Sequence, residues 1–534
     1  MDMTAAEIVR NGEAFLGIEM GSTRIKAVLI DAKCNVIAQG SYAWENHFDG
    51  MYWSYHQDEI WRGLRSAYTD LQQRVKEEYR ISIQRVAAMG ISGMMHGYLA
   101  FDTAGDLLVP FRTWRNNTTG EAAEELTRVL AFNIPERWSV AHLYQALLSG
   151  ETHVAQVDYM TTLSGYIHWK LSGQKVLGID DASGMFPIDP ATGTYDMGML
   201  KIFSRLSAAA ALPKNLADIL PRVCTAGQAA GKLTPEGAAL LDESGNLMAG
   251  CPMCPPEGDA GTGMIATNSI RERTGNISVG TSIFSMNVLE RPFQKVYRDV
   301  DIVMTPHGKP TAMVHSNNCT SDINAWFGIF SEIATVLGAS VPADTLYQKL
   351  FQQVEQADPS GGGLLNYSFL SGENLTRTEK GRPLFVRTPQ SAFTLANFVL
   401  TQLYAAFAPL RIGFDILTQE EGIRMERMIA HGGLFRTPYI AQQVLANMLD
   451  VSVTVMKTAA EGGAWGMAVL AVYALRGRGE DLADFLDREV FATAEGETLA
   501  PDAVGVRGAQ EFIVRYRAAL SVENTAGDAL TYNG

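Results

Sequence analysis

Read as apolar and polar positions, the chain writes one phrase twice, about half a chain apart. Near the N-terminus the apolar run Phe15-Leu16-Gly17-Ile18-Glu19-Met20 meets the turn Gly21-Ser22-Thr23, and a second apolar run from Ile25 to Ile30 follows. Past the middle, Thr274 to Val279 meets Gly280-Thr281-Ser282, and Ile283 to Leu289 follows. An apolar run, a Gly-hydroxyl turn and a second apolar run spell a tight β-hairpin, with glycine expected where φ is positive. After the first copy, Glu59 to Tyr79 carries Ile60, Trp61, Leu64, Ala67 and Leu71 at helical spacing. Val86 to Gly93 reads as a short buried strand and Tyr98 to Asp102 as another. Helices are expected over Gly120 to Leu130 and over Val157 to Leu171, where Gly173 supplies the stop. The second copy is followed by a strand from Thr311 to Val314, a helix through Trp326 and Phe327, and a long helix from Ala392 to Leu417. A last helix spans Gly508 to Leu520, and a polar, mobile tail is expected beyond it. The repeated order predicts a duplicated α/β fold.

Length and composition set bounds on this picture. A chain of 534 residues exceeds what one hydrophobic core serves, so two domains are expected, 1–267 and 268–534, meeting between Gly263 and Glu272. The formal net charge of -15 argues against nucleic acid or an anionic membrane surface as the main partner. Apolar runs long enough to span a bilayer are lacking, and the acidic, polar start does not read as a signal peptide, so a cytoplasmic protein is expected. Five cysteines in a long chain are no disulfide framework. Cys251-Pro252-Met253-Cys254 has redox or zinc spacing, but no second pair completes a zinc site, so it reads as a turn.

Several phrases can carry chemistry. Glycine beside Ser or Thr presents backbone N–H groups and hydroxyls to an anion, and two such turns can grip one polyphosphate. Either turn alone would be only a hairpin. Gly258-Asp259-Ala260-Gly261 sets a carboxylate between glycines, which suits a catalytic base on an exposed loop and equally an ordinary turn. Ser92 to Gly97 holds His96 in a turn after a buried strand. His431-Gly432-Gly433 ends a strand on bare backbone, against which a flat ring can lie. Glu461 to Ala468 opens a helix with small residues, whose main expected role is close packing.

In this order the phrases resemble the FGGY family of carbohydrate kinases, within the actin, sugar kinase and Hsp70 superfamily, from Phe15 to the final helix. The resemblance implies an α/β protein of two ribonuclease-H-like (actin-like ATPase) domains with a nucleotide cleft between them. It implies that Gly21, Ser22, Thr23 and Lys26 form one phosphate loop and Gly280, Thr281 and Ser282 the other. Gly432 and Gly433 fall at the adenosine motif, with Glu461 to Ala468 as the helix behind it. Asp259 matches the family's general base. Met95-His96-Gly97 is similar to the phrase of the xylulokinase branch, in which Met95, His96 and Asp259 would bind sugar. Asp181-Ala182-Ser183 resembles a further recurrent phrase. The implied cofactor is Mg²⁺ carried with ATP, and Glu19, standing where the family usually has Asp, would reach it through water. Trp114-Arg115-Asn116 replaces a common Trp-Asn-Asp, and Leu434 replaces a third glycine. The implied reaction is phosphorylation of a ketopentose such as xylulose. Kinases of ribulose, fuculose, gluconate or glycerol stay open, as does a nucleotide-gated regulator or ATPase. The expected partners are a small sugar and ATP, with no nucleic acid and no membrane, and a homodimer is in keeping with the resembled family.

Overall fold

The computed structural model of the chain describes residues 3–456 and 462–530. By contacts the chain forms two compact units. One holds Met1–Ile270, Asp301–Thr311 and Ala460–Thr493; the other holds Arg271–Val300, Ala312–Ala459 and Ala494–Gly534. The first crossing follows Ile270, and the chain then returns to the first unit twice.

The sheet of the first unit runs Glu257–Gly258, Ala88–Gly93, Phe15–Met20, Arg24–Ile30, Val36–Ala43 in spatial order. Phe15–Met20 pairs antiparallel with Arg24–Ile30 and parallel with Ala88–Gly93, which in turn runs parallel to Glu257–Gly258. The inner strands are buried almost throughout, which is why they read as near-continuous apolar runs. Helix Gln57–Tyr79 buries Ile60, Leu64, Ala67, Leu71 and Val75, the apolar stripe of its sequence. It lies so close to the edge strand that a Cβ on Gly40 would stand 2.3 Å from the Leu71 nitrogen. Helix Gly463–Arg476 packs on Phe15–Met20, where a Cβ on Gly17 would stand 2.0 Å from the Ala464 carbonyl oxygen. It also meets helix Asp259–Ala266, and a Cβ on Gly466 would come within 2.1 Å of the Thr262 carbonyl. Close packing is therefore what its small residues serve. Glu461, the first residue of the phrase that opens this helix, lies outside the described residues.

The sheet of the second unit contains Ile283–Val288, Thr274–Val279, Arg427–Gly432, Ser452–Met456 and Gly496–Leu499 in spatial order. Thr274–Val279 pairs antiparallel with its hairpin partner and parallel with Arg427–Gly432. This repeats the pairing of Phe15–Met20, so the duplicated phrase corresponds to a duplicated topology. Helix Leu395–Asp415 is apolar on nearly every face because it is a core helix of this unit. With its continuation to Glu420 it is by length and composition apolar enough to cross a membrane, yet 89% of its most apolar 18-residue stretch is buried inside the protein, and it carries an Arg411–Asp415 ion pair at 2.6 Å.

Several elements differ from the sequence expectations. Val157 to Leu171 is not one helix: Tyr159–Thr161 is a strand beside Leu99–Phe101, and the helix is Leu163–Ser172, capped by the Thr162 side chain and ended at Gly173 with φ 72°. Helix Ser139–Leu148 was not expected; it is buried on almost every side and so writes no amphipathic stripe. The tail is not free. Leu520–Ala529 forms a further helix whose buried Glu523 accepts the Arg382 backbone N–H at 2.6 Å. Cys251 and Cys254 are free thiols, not in a turn as expected but in an extended segment bridged in parallel to Met89, whose carbonyl Cys254 meets through both its backbone nitrogen and its sulfur.

Candidate active site

In the first unit three parallel strands end in one row. Met20 stands opposite Gly93, and Gly93 opposite Gly258. The residues that follow are therefore delivered to one edge of the sheet: Gly21-Ser22-Thr23, Met94-Met95-His96 and Asp259. The carboxyl ends of parallel strands are where α/β folds place ligands.

Asp259 does not lie in an open loop as expected; it is the first residue of helix Asp259–Ala266. It is solvent-exposed, but protein surrounds its carboxylate closely enough for desolvation to raise its pKa above the ordinary value, against the Met95 and Ala260 amides that stabilise the anion. The Met95 N–H donates to Asp259 Oδ1 at 3.3 Å. Glu19 lies nearby: its carboxyl is pushed up by burial and by the charge of Asp259, and pulled down by Lys26 and the Ala464 amide. Gly462 and Gly463 leave room for these side chains. A Cβ on Gly463 would stand 2.7 Å from Glu19 Oε1, and one on Gly462 would stand 3.6 Å from Lys26 Nζ.

Behind Asp259 lies a buried acidic group of which the sequence singled out only Asp181, within Asp181-Ala182-Ser183, and not Asp180 or Glu257. Asp180 Oδ2 accepts the N–H groups of Gly258 at 3.0 Å and Gly261 at 3.2 Å. Glu257 Oε2 accepts the Asp180 N–H at 3.2 Å. Asp181 Oδ2 accepts the hydroxyls of Thr162, at 2.6 Å, and of Ser164. Burial raises all of these carboxyls, Asp181 to about 7, and mutual repulsion adds to the rise for Asp180 and Glu257. The signal available in sequence was the doublet Asp180-Asp181 set between the apolar stretches Val176 to Ile179 and Met185 to Ile188.

His96 has left-handed backbone, φ 68°, and is followed by Gly97 at φ 83°. Its ring does not project freely from the turn. It is buried, stacked on Trp138 with centroids 6.2 Å apart, and Nδ1 lies 3.3 Å from the Gly184 carbonyl. Burial, with Arg137 and His142 nearby, drives its pKa well below the ordinary value, so the ring is neutral at neutral pH. Asn116 is a structural residue that brackets the Trp53 backbone, and Arg115 lies 3.9 Å over the Trp53 ring, so the Trp114-Arg115-Asn116 phrase brings no carboxylate here.

The first Gly-hydroxyl turn is fixed by aromatic residues. Trp44 Nε1 donates to the Gly21 carbonyl at 2.7 Å and the Tyr55 hydroxyl to the Ser22 carbonyl at 2.5 Å, with the two rings stacked at 4.1 Å. Neither Gly21 nor Gly280 has positive φ, contrary to expectation. Gly21 is required for space, since a Cβ there would stand 2.8 Å from the Arg24 carbonyl; Gly280 has open room, its nearest neighbour being the Ser282 carbonyl at 3.7 Å.

The second unit holds a pocket of about 510 Å³, within the range of sites for small ligands. Gly280, Thr281 and Gly433 line it, together with Leu434, Tyr347 and Asn324. Ser282 and Gly432 are their immediate chain neighbours. The turn is anchored to the start of helix Thr320–Val336, where the Thr320 hydroxyl donates to the Gly280 carbonyl at 2.7 Å. Gly432 has φ 131°, and a Cβ on it would stand 2.0 Å from the Val279 carbonyl. Tyr347 donates its hydroxyl to Asn324 Oδ1 at 2.7 Å, which leaves the Asn324 amide nitrogen as a donor at the wall. Neither residue was expected at a site. Among the described residues no group of three or more His, Cys, Asp or Glu side chains is arranged to hold a metal ion by itself.

Residues 14–260 match the N-terminal domain of the FGGY family of carbohydrate kinases, and residues 275–475 match its C-terminal domain. The chain belongs to the FGGY family of carbohydrate kinases. This kinase is 21% identical over 519 residues to a xylulose kinase of Haemophilus influenzae, covering 95% of the chain and 99% of the relative. Among solved structures it is similar to a ligand-bound xylulose kinase of Lactobacillus acidophilus, with TM-score 0.77 and 17% identity over 97% of the chain and 100% of that structure. A gluconate kinase of the same organism gives TM-score 0.77 at 17% identity, over 97% of the chain and 99% of that structure. The fold is thus the two-domain, actin-like fold of sugar kinases, and the enzyme is an ATP-dependent carbohydrate kinase.

Proposed function

We propose that this kinase phosphorylates a ketopentose, with xylulose as the first candidate. The observation that carries the site assignment is the single row of strand ends that brings Asp259, Met95, His96 and Glu19 together in the first unit. In this reading Asp259 takes the proton of the sugar hydroxyl as that oxygen attacks the γ-phosphorus of ATP, and the bond to the bridging oxygen breaks to release ADP. A raised carboxyl pKa brings a base closer to the working pH, which favours proton transfer. His96, neutral and locked by Trp138 and by its Nδ1–H on the Gly184 carbonyl, leaves Nε2 as an acceptor for a sugar hydroxyl, and Met95 lies beside it. The first unit supplies Gly21, Ser22, Thr23 and Lys26 to the phosphates. The second supplies Gly280, Thr281 and Ser282 to phosphate and Gly432 and Gly433 to the adenosine.

Two neighbouring carboxylates that repel each other, Glu19 and Asp259, fit a divalent cation that keeps most of its ligands from water and phosphate. Glu19 would hold Mg²⁺ through water, and the ion would neutralise charge on the transferring phosphoryl group. The chain's own contribution is positioning and exclusion of water around the acceptor hydroxyl.

The xylulose assignment rests on the resemblance of Met95-His96-Gly97 to the xylulokinase phrase and on the coverage of the Haemophilus relative from end to end. The test is sugar-stimulated ADP release with D-xylulose, D-ribulose, L-fuculose, D-gluconate and glycerol. The largest kcat/KM is expected for xylulose. A larger value for another acceptor would reassign the substrate, and no stimulation by any would favour the regulator or ATPase reading.

A further inference from the structure

We propose that Asp180 is the positioning residue of the catalytic helix, holding Asp259 in place by capping its start from another element. The inference rests on the reading of Asp259 as the base. Gly258, the residue at the cap position of Asp259–Ala266, has no side chain with which to cap the helix. The free N–H groups at a helix start normally find a partner in a local Ser, Thr, Asp or Asn. Here the partner is Asp180, seventy-eight residues away in sequence. Its Oδ2 takes the N–H of Gly258, immediately before Asp259, and the N–H of Gly261, two residues after it. One oxygen atom thus fastens the backbone on both sides of the base.

The packing leaves little freedom for this arrangement to shift. A Cβ on Gly258 would stand 2.2 Å from Met95 Cγ and 2.8 Å from Asp180 Oδ2, and one on Gly261 would stand 2.4 Å from Asp180 Cγ. Both glycines are therefore bare so that the carboxylate can reach the backbone. Asp180 is fully buried, and its own N–H is tied to Glu257, the residue before Gly258. The short helix Ile179–Ser183 and the strand Glu257–Gly258 are in this way bonded in both directions. The Met95 N–H that reaches Asp259 Oδ1 then sets the carboxylate against the sugar loop. Asp180 does not touch the reacting atoms in this scheme; it acts through the backbone of Asp259.

The test compares Asp180→Ala, Asp180→Asn and Gly261→Ala with wild type and with Asp259→Asn, in the full-length enzyme with its best sugar. Misplacing a reacting group by about 1 Å can cost on the order of 10²-fold in rate. Asp180→Ala is expected to lower kcat by about 10- to 100-fold with KM for ATP and for sugar held within about threefold. Asp180→Asn keeps an oxygen able to accept both N–H groups and should recover most of that loss. Gly261→Ala, which leaves the carboxylate present but displaces it, should reproduce the loss and decides the matter should Asp180→Ala fail to fold. Asp180→Ala or Gly261→Ala with wild-type kcat would overturn the inference, as would equal impairment of the Asn and Ala variants. Asp259→Asn at near wild-type rate would instead remove the base assignment itself, a result the Asp180 variants cannot mimic.

Discussion

The Met95 backbone N–H donates to Asp259 Oδ1 at 3.3 Å, so the sugar loop and the proposed base are fastened to each other before any substrate arrives. An asparagine at 259 can keep an acceptor oxygen for that bond while losing the ability to take a proton. Asp259→Asn should therefore fold and bind ATP nearly as wild type. Its kcat should fall by about 10²–10⁴, or roughly 3–5 kcal/mol of barrier. Calorimetry of ATP binding beside sugar-dependent ADP release checks both halves. Turnover within about threefold of wild type would mean the proton goes elsewhere.

His96 should affect sugar kinetics more than nucleotide binding. His96→Ala removes a ring that is stacked on Trp138 and bonded to the Gly184 carbonyl, so some thermal stability will be lost as well. Gly184→Ala separates the two effects. Its new Cβ would stand 2.5 Å from His96 Nδ1 and so must displace the imidazole while leaving it in the protein. Both variants should raise the sugar KM and lower kcat, with ATP affinity unchanged by calorimetry. Unaltered sugar kinetics in a folded Gly184→Ala protein would show that the ring only pins its own turn.

The glycines of the second unit are not equivalent. Alanine at Gly432 meets both a left-handed backbone, φ 131°, and the Val279 carbonyl at 2.0 Å, so Gly432→Ala should cost at least about 1–3 kcal/mol of stability. Gly433 has nothing within 4 Å of a new Cβ, and Gly433→Ala should fold normally. Gly280→Val adds bulk on the pocket wall at an unstrained residue whose nearest neighbour stands at 3.7 Å. It should keep its melting temperature and lose ATP affinity with sugar binding retained. Unchanged nucleotide affinity in folded Gly280→Val would detach this turn from ATP.

What the sequence disclosed follows from how local each feature is. The hairpins at Gly21 and Gly280 were legible because apolar runs and a turn glycine are neighbours in the chain, although the reason for glycine was space at Gly21 and not φ. The stripe of Gln57–Tyr79 was legible because only one face is buried, whereas Ser139–Leu148 is buried nearly all round and left no periodicity. His96 was recognisable in its turn, but its burial depends on Trp138 and on Gly184, eighty-eight residues away. Asp180 was invisible as a partner of the Asp259 helix for the same reason. Tyr347 and Asn324 carry no motif at all, and they meet at the pocket only through the packing of two helices.

The buried acids predict an unusual pH response. Asp181, with an ordinary value of 3.8, is raised to about 7 by burial, against the hydroxyls of Thr162 and Ser164. A carboxyl raised in the folded state binds its proton more tightly there than in the unfolded chain. Its contribution to stability is therefore complete below about pH 4 and is lost as pH rises toward 7. Asp180 and Glu257, buried beside it, are shifted in the same direction and add to the trend. Wild-type unfolding free energy, measured by denaturant titration, should thus decline between pH 5 and pH 8 more than ordinary surface carboxylates would allow. Asp181→Asn removes one of these protons while leaving an oxygen for Thr162 and Ser164, so its profile should be flatter and should gain on wild type as pH rises. Parallel profiles for the two proteins would mean that Asp181 is ionised at no extra cost, and that its site is wetter than its burial indicates.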